Sequence, residues 1–453
     1  MNIMIMREAI RRITQSMIAV LILGVGVLIS GTSAHAVEVE RVISEKGVEA
    51  WLVRDHSNPI VTMEFKFLGG GALDPSDKQG LAALAATTID EGAGDLDSTA
   101  FQTALDDRSI TLSFSAGLDS FRGTFRTLNK HRDYAFELAR LALTEARFDE
   151  EPVDRIRTQL VSRVKQNSQS PNYRASRKIL EMAFGDHPYA QPSNGTVEGL
   201  TAITRDDLRA FTKNRFARDT LIIGVVGDIT ADELKVYLDK TFGGLPAKAT
   251  STGVPEIKAA LSGGITVIDV DVPQSSIQFG HAGISRDDPD FYTAHVLNYI
   301  LGGGSFVSRL YQQVREERGL AYSVYSYLMP LDSSAAVMGG AGTANERVKE
   351  TVYVIRDVWQ EFAANGPTQQ ELNDAKTYLT GAFPLRFTSS STIANMLVAM
   401  QNDNLGIDYI DKRNSYIEAV TLEDAKRVAN QLYQPEKLSF VIAGKPVGIS
   451  ATE

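Results

Sequence analysis

A chain of 453 residues, 43% apolar and 23% charged, has room for two domains and the mixture of a globular protein, neither disordered nor fibrous. Its formal net charge of −10 argues against nucleic acid or anionic lipid as a partner. With no cysteine, it forms no disulfide, thiolate metal site or thiol nucleophile.

At the start of the chain, Arg7, Arg11 and Arg12 precede an apolar run over 17–29, and Gly31, Thr32 and Ser33 then lead into Ala34-His35-Ala36. That order is the pattern of a secretory signal peptide, 1–36, with cleavage expected after Ala36 and a periplasmic destination. The run is short for a membrane anchor, which needs roughly 20 helical residues. No cysteine follows it to carry a lipid. Residues 1–36 hold three Arg and one Glu, so their removal would take the net charge from −10 to −12.

Beyond the signal, Val61, Met63, Phe65 and Phe67 alternate with Thr62, Glu64 and Lys66, the period of a strand with one face in a core. Helices are expected over 133–143 and 151–165. The segment 204–227 then recurs at 421–444 without a gap: Thr204 aligns with Thr421, Asp207 with Asp424, Leu221 with Leu438, and Gly227 with Gly444. Each copy reads as a helix opened by a threonine cap, with an acidic residue three later, followed by a strand ending at glycine. A second pair, 101–108 and 311–318, repeats at a slightly different offset. The later half also opens on strand patterns, at Ile265 and Val267 and at Ile277 and Phe279, and carries a helix over 346–362. The expected organisation is therefore two related α+β domains, 37–244 and 261–453, each a mostly antiparallel sheet with helices on one side. The linker expected over 245–260 should be polar and mobile, since 245–255 is bracketed by prolines and poor in large apolar residues.

The densest motif is the run over 301–326. It contains Gly302-Gly303-Gly304-Ser305, then Ser308-Arg309-Leu310, then Arg315-Glu316-Glu317-Arg318-Gly319-Leu320-Ala321-Tyr322. The glycines lack the lysine and hydroxyl residue of a phosphate loop, so they read as a tight connection beside a substrate strand or as ordinary turn chemistry. The whole run resembles the second-domain signature of the pitrilysin/insulinase-type metallopeptidases, the family of mitochondrial processing peptidase and its bacterial relatives. The likeness extends over nearly all of the chain beyond the signal.

The resemblance implies a clamshell chamber of which this chain forms half. It also implies that Arg315 and Tyr322 reach across the chamber toward the zinc site of an opposing domain, with Gly302, Gly303, Gly304, Ser305 and Arg318 on the substrate side. The chemistry suits those residue types. Peptide hydrolysis develops negative charge on the carbonyl oxygen, and each preplaced donor facing it is worth about 3 kcal/mol. Aligned on the internal repeat, the first half has Leu105 and Leu112 at these positions, so the polar pair belongs to the second copy alone. Arg318 is the alternative to Arg315 as the functional arginine.

The same resemblance sets up a second expectation, and the chain departs from it. Catalytic members carry H-x-x-E-H in the first domain, two histidines for zinc and a glutamate for water. Here the approach over 69–82 is retained, but the five positions read Ala83-Leu84-Ala85-Ala86-Thr87, with Ala83, Ala86 and Thr87 in place of ligands. A third ligand would be expected near Ser162 and Arg163, where a cation opposes a metal. Neither His56, His131, His187, His281 nor His295 forms a pair at helical spacing, and Asp90 and Glu91, being adjacent, read as a solvated helix end. No G-x-S-x-G motif offers a serine route.

The expectation is a zinc-lacking subunit of a heterodimeric zinc metalloendopeptidase that degrades peptides or unfolded proteins. It would be inactive alone, hold no metal itself, and meet its zinc in a homologous H-x-x-E-H-bearing partner. The alternative is a non-enzymatic peptide-binding or assembly scaffold of the same superfamily.

Overall fold

The computed structural model describes residues 38–250 and 253–449. The expected signal segment and two residues of the expected linker lie outside them.

Six strands form the first sheet: β1 (Val39–Ile43), β2 (Glu49–Arg54), β3 (Ile60–Leu68), β4 (Thr111–Ala116), β5 (Ser120–Leu128) and β6 (Leu221–Gly227), in the order β1-β2-β6-β3-β5-β4. The second contains β7 (Ile265–Asp269), β8 (Gln274–Ala282), β9 (Ala321–Leu331), β10 (Ser334–Ala344) and β11 (Ser439–Gly444), in the order β7-β11-β8-β10-β9. In both, the repeated glycine-ended strand inserts at the same place. β6 runs parallel to β2 and antiparallel to β3, as β11 does with β7 and β8. The helices before these strands are capped at Thr204 and Thr421, whose hydroxyls accept from the amides of Asp207 and Asp424.

The alternation in β3 sets the first core. Met63, Phe65 and Phe67 meet Phe121 and Phe125 of β5 and Ile223 and Val225 of β6 under the helices Leu81–Thr88 and Arg132–Thr144. Yet β3 is buried from Val61 to Phe67 on both faces, which corrects the expectation of helices on one side only. The opposite face of the first sheet is covered by the Ser390–Asn402 helix of the second half, which packs on β3 and β6. Reciprocally, the Pro171–Phe184 helix of the first half packs on β8 and β11, where Ala175, Ile179 and Ala183 share a core with Met338, Val441 and Ala443. The halves exchange a helix.

The join between them is also not free. Ala259 and Leu261 are buried, the His187 Nε2 lies 2.8 Å from the Pro255 carbonyl oxygen, and the Ala260 amide donates to Ala183 O at 2.8 Å. Ile257, Ala259 and Leu261, every second residue after Pro255, pack into the core shared by the two halves, as one face of an extended strand would.

Candidate functional site

The 311–318 repeat does not fold as its first-half counterpart does. Ser98–Asp106 is an ordinary α-helix, whereas Tyr311–Glu316 is a wider π-helical turn in which the Glu317 amide donates to Gln312 O, five residues back, at 2.9 Å. Gly319, at φ +59°, ends the turn and reverses the chain into β9, a conformation that only glycine adopts without strain. Ala321 pairs with Thr343 and Ser323 with Gly342, so Tyr322 is the extra residue of a β-bulge at the sheet's outer strand. Its side chain is thrown outward, 81% exposed, and its hydroxyl makes no hydrogen bond among the described residues.

The wide turn brings Arg315 beside it. The guanidinium carbon sits 5.0 Å from the centre of the Tyr322 ring and 4.9 Å from that of Tyr311, and Nη1 donates to the Tyr311 hydroxyl. Tyr311 is in turn met edge-on by Phe306 at 5.0 Å. Phe306 and Val307 are 67% and 68% exposed, so donors and apolar surface lie next to one another. Arg318 faces away into its own turn, donating from Nη1 to the Gln313 carbonyl at 2.8 Å and to Gln313 Oε1 at 2.7 Å.

The glycine run is a spacer in the packing of this segment. A Cβ on Gly302 would stand 2.4 Å from Ser326 Oγ of β9, and one on Gly303 would stand 2.7 Å from Asn298 Nδ2. Gly304 is held against the Tyr299 carbonyl, and Ser305 follows at φ +51°, exposed at the surface. Arg309, which sequence reasoning quoted without assigning a task, staples the segment. It donates from Nε and Nη2 to the two oxygens of Glu371 at 2.7 and 2.8 Å, and also bonds Glu361. Burial pushes the Glu371 carboxyl up, but Arg309 and the Thr368 cap overcome this and bring its pKa to about 2.

The Leu81–Thr88 helix keeps its seat but has no ligand atoms to offer. Asp74 accepts from the amides of Gly80 and Ala82 at the helix start, and Arg215 binds both Asp74 and the Gly70 carbonyl. Burial pushes the Asp74 carboxyl up to about 6. Ala83 and Ala86 are buried and carry no donor atom, and the Thr87 hydroxyl donates back to Ala83 O at 2.9 Å. Arg163 lies exposed on the Glu150–Asn167 helix. These residues do not fit a zinc ion, and among the described residues no group of three His, Asp or Glu side chains is placed to hold one. Nor are Asp90 and Glu91 a solvated end, as their sequence suggested. Glu91 accepts from Arg155 at 2.6 Å, tying the segment after the Leu81–Thr88 helix to the Glu150–Asn167 helix, while burial pushes the Asp90 carboxyl up to about 6.

Residues 202–379 match the family model described as the peptidase M16 inactive domain. That segment is an M16-family domain, and the chain resembles members of the family over most of its length. The Helicobacter pylori protein named non-peptidase homolog YmxG is 27% identical to it over 401 residues, 88% of this chain and 92% of that one. The crystal structure of a peptidase M16 inactive domain from Pseudomonas fluorescens superposes at a TM-score of 0.85, with 28% identity over 92% of this chain and 100% of that one. The periplasmic protease PqqL from Escherichia coli shares the fold, with a TM-score of 0.77 at 16% identity; the match covers 91% of this chain and 46% of that one.

Within the M16 frame the histidines are dispersed. His56 contacts Asp228, His131 precedes the Arg132–Thr144 helix, and His187 braces the join. His281 Nε2 accepts from the buried Trp359 indole at 3.1 Å. His295 lines a cavity among arginines. None of the helices described is long and apolar enough to cross a membrane.

Proposed function

We propose that this chain is the zinc-lacking subunit of a two-chain M16 endopeptidase acting on peptides or unfolded proteins in the periplasm, paired with a homologous subunit that carries H-x-x-E-H. One contrast carries this reading. The helix that would present metal ligands is intact but has Ala83 and Thr87 at the histidine positions and Ala86 at the glutamate position, while Arg315 is held beside an outward-facing Tyr322. A module kept only for its fold has no need to expose a tyrosine on a bulge beside a stacked guanidinium.

In this reading the partner supplies the metal-activated water, and this chain supplies positioning. The unpaired Tyr322 hydroxyl donates to the carbonyl oxygen as charge builds on it. Arg315, with Nη1 committed to Tyr311, directs its remaining N–H groups toward a neighbouring peptide carbonyl. Phe306 and Val307 offer apolar contact to a substrate side chain. The match to about half the length of PqqL supports a chain that makes half of a chamber. Residues 1–36 serve as the export signal, and 37–244 and 261–453 as the two related domains.

The test is to express the chain alone and together with an H-x-x-E-H homologue, then measure bound zinc and cleavage of an unfolded polypeptide. Zinc and cleavage are expected only in the mixture. Full activity in the lone chain would eliminate the proposal. The name of the H. pylori relative favours a second reading, a binding or assembly scaffold without catalysis. That reading requires Tyr322→Phe to leave the turnover of every partner unchanged.

A further inference from the structure

A strongly cationic cavity lies remote in sequence from the motif. It encloses about 470 Å³ between the two halves, and its wall carries four guanidiniums, Arg122, Arg286, Arg386 and Arg413, against one carboxylate, Asp403. In a chain of net charge −10, such an excess of cations needs a cause. Arg286 donates to Asp403 at 3.2 Å and to the Tyr292 hydroxyl at 3.3 Å. Arg413, only 7% exposed, donates to the Leu379 carbonyl at 2.6 Å and lies over Phe383, but among the described residues no carboxylate is within ion-pair distance of it. Arg386 has no hydrogen-bond or ion-pair partner among them, and it raises the cost of charge on its neighbour Arg413. Burying a guanidinium beside another without an anion is unfavourable. His295, facing the same space, is held neutral, its pKa brought down to about 4 by burial and then by Arg413, Arg386 and Arg286.

Much of the rest of the wall is apolar or aromatic, Phe291, Phe383, Met396 and Met400 with the rings of Tyr292 and Tyr409, interrupted by Thr392 and Asn395. A plain oxyanion would leave that surface unused. A second cavity of about 520 Å³ adjoins the first through Arg122, Arg286, Asn395 and Asp403, and has a mixed polar lining that includes Lys66, Asp119 and Asp332. Together they make a trough with one cationic, aromatic end, drawn from both halves of the chain.

We propose that this end anchors the free C-terminal carboxylate of a peptide whose last side chain is apolar, with Arg386 and Arg413 on the carboxylate and the aromatic wall on the side chain. The preceding residues run through the adjoining cavity. The assignment rests on the peptide-binding reading above and adds to it a preference for one end of the substrate. Guanidinium pairs suit a carboxylate because both are planar and can make two parallel hydrogen bonds.

The experiment measures binding of a fluorescent, N-acetylated peptide ending in phenylalanine to the purified full chain, as free acid and as C-terminal amide. The free acid is expected to bind at least tenfold more tightly. Arg386→Gln, on an exposed side chain, should reduce that preference to threefold or less, and Arg286→Gln should weaken it in the same direction. Equal binding of acid and amide overturns the anchor and leaves the peptide-binding reading standing. A preference that survives both substitutions places the anchor elsewhere and overturns the assignment. Inorganic phosphate competing as well as N-acetylphenylalanine shows a general oxyanion site and rejects the apolar half of the proposal. Absence of any peptide binding overturns the anchor, and if the chain mixed with its H-x-x-E-H partner also fails to cleave unfolded polypeptide, the underlying reading falls with it.

Discussion

Gly224 of β6 faces the Ala394 carbonyl so closely that a Cβ on it would stand 2.4 Å from that oxygen. The contact joins the first sheet to a helix of the second half, and the Leu397 Cβ lies 2.9 Å from the same point. No flexible side chain is available to yield, because the nearest atom belongs to helix backbone. Gly224→Ala should therefore lift the Ser390–Asn402 helix off β6 and cost about 1–3 kcal/mol. Thermal unfolding checks this: the variant is expected to melt several degrees lower. An unchanged midpoint would show that the two halves do not depend on this approach.

Arg309 and Glu371 are the second link. Their side chains are 17% and 31% exposed and joined by two hydrogen bonds, so removing one partner strands the other. Glu371→Gln should destabilise the fold by about 1–3 kcal/mol. The Glu371 pKa, about 2 when folded, lies below the ordinary carboxylate value of roughly 4.3. Its stabilisation is thus complete above pH ~4.3 and is lost as pH falls toward about 2. Denaturant titrations at pH 7 and pH 3 should show the gap between the two proteins shrinking at the lower pH.

Much of this architecture was legible in the sequence, because period and repetition report directly on local structure. Phe65 and Phe67 announced β3, and the 204–227 repeat announced that β6 and β11 occupy equivalent places. The exchange of helices was not legible. The Pro171–Phe184 and Ser390–Asn402 helices have apolar faces that any sheet could bury, and nothing in either sequence names the sheet it covers. Gly224 was the available signal, a glycine in a strand of β-branched residues marking a close backbone approach. At the site, the family resemblance of the 301–326 run pointed to Arg315 and Tyr322 but could not show that a π-helical turn and a β-bulge bring them into contact. Arg309 was hidden for a different reason: its partners at 361 and 371 lie on helices whose placement is tertiary.

The exposed pair separates catalysis from stability. Tyr322 is 81% exposed and its hydroxyl touches no protein group described, so Tyr322→Phe should leave the unfolding free energy within about 0.5 kcal/mol. In the assembled complex the same change should lower kcat at least tenfold while KM for an unfolded substrate changes little, the signature of a group that acts in the transition state. Arg315→Lys keeps the charge but loses the planar stack between Tyr311 and Tyr322, and should also raise KM. Steady-state kinetics on the two variants decide between donor and scaffold roles.

His281 sets a limit on acid tolerance. Its Nε2 must stay unprotonated to accept from Trp359, while Nδ1 donates to the Ala282 carbonyl at 2.7 Å. Burial brings the imidazole pKa down to about 4, against roughly 6.5 in an unfolded chain. Between these values the unfolded state takes up a proton that the folded state refuses, so the contribution is complete above pH ~6.5 and fades as pH falls to about 4. The size is of order 3 kcal/mol by linkage. His281→Gln can keep both hydrogen bonds without a titrating group. Its unfolding free energy should therefore fall less steeply than that of the parent protein between pH 7 and pH 4, and parallel slopes would place the acid sensitivity elsewhere.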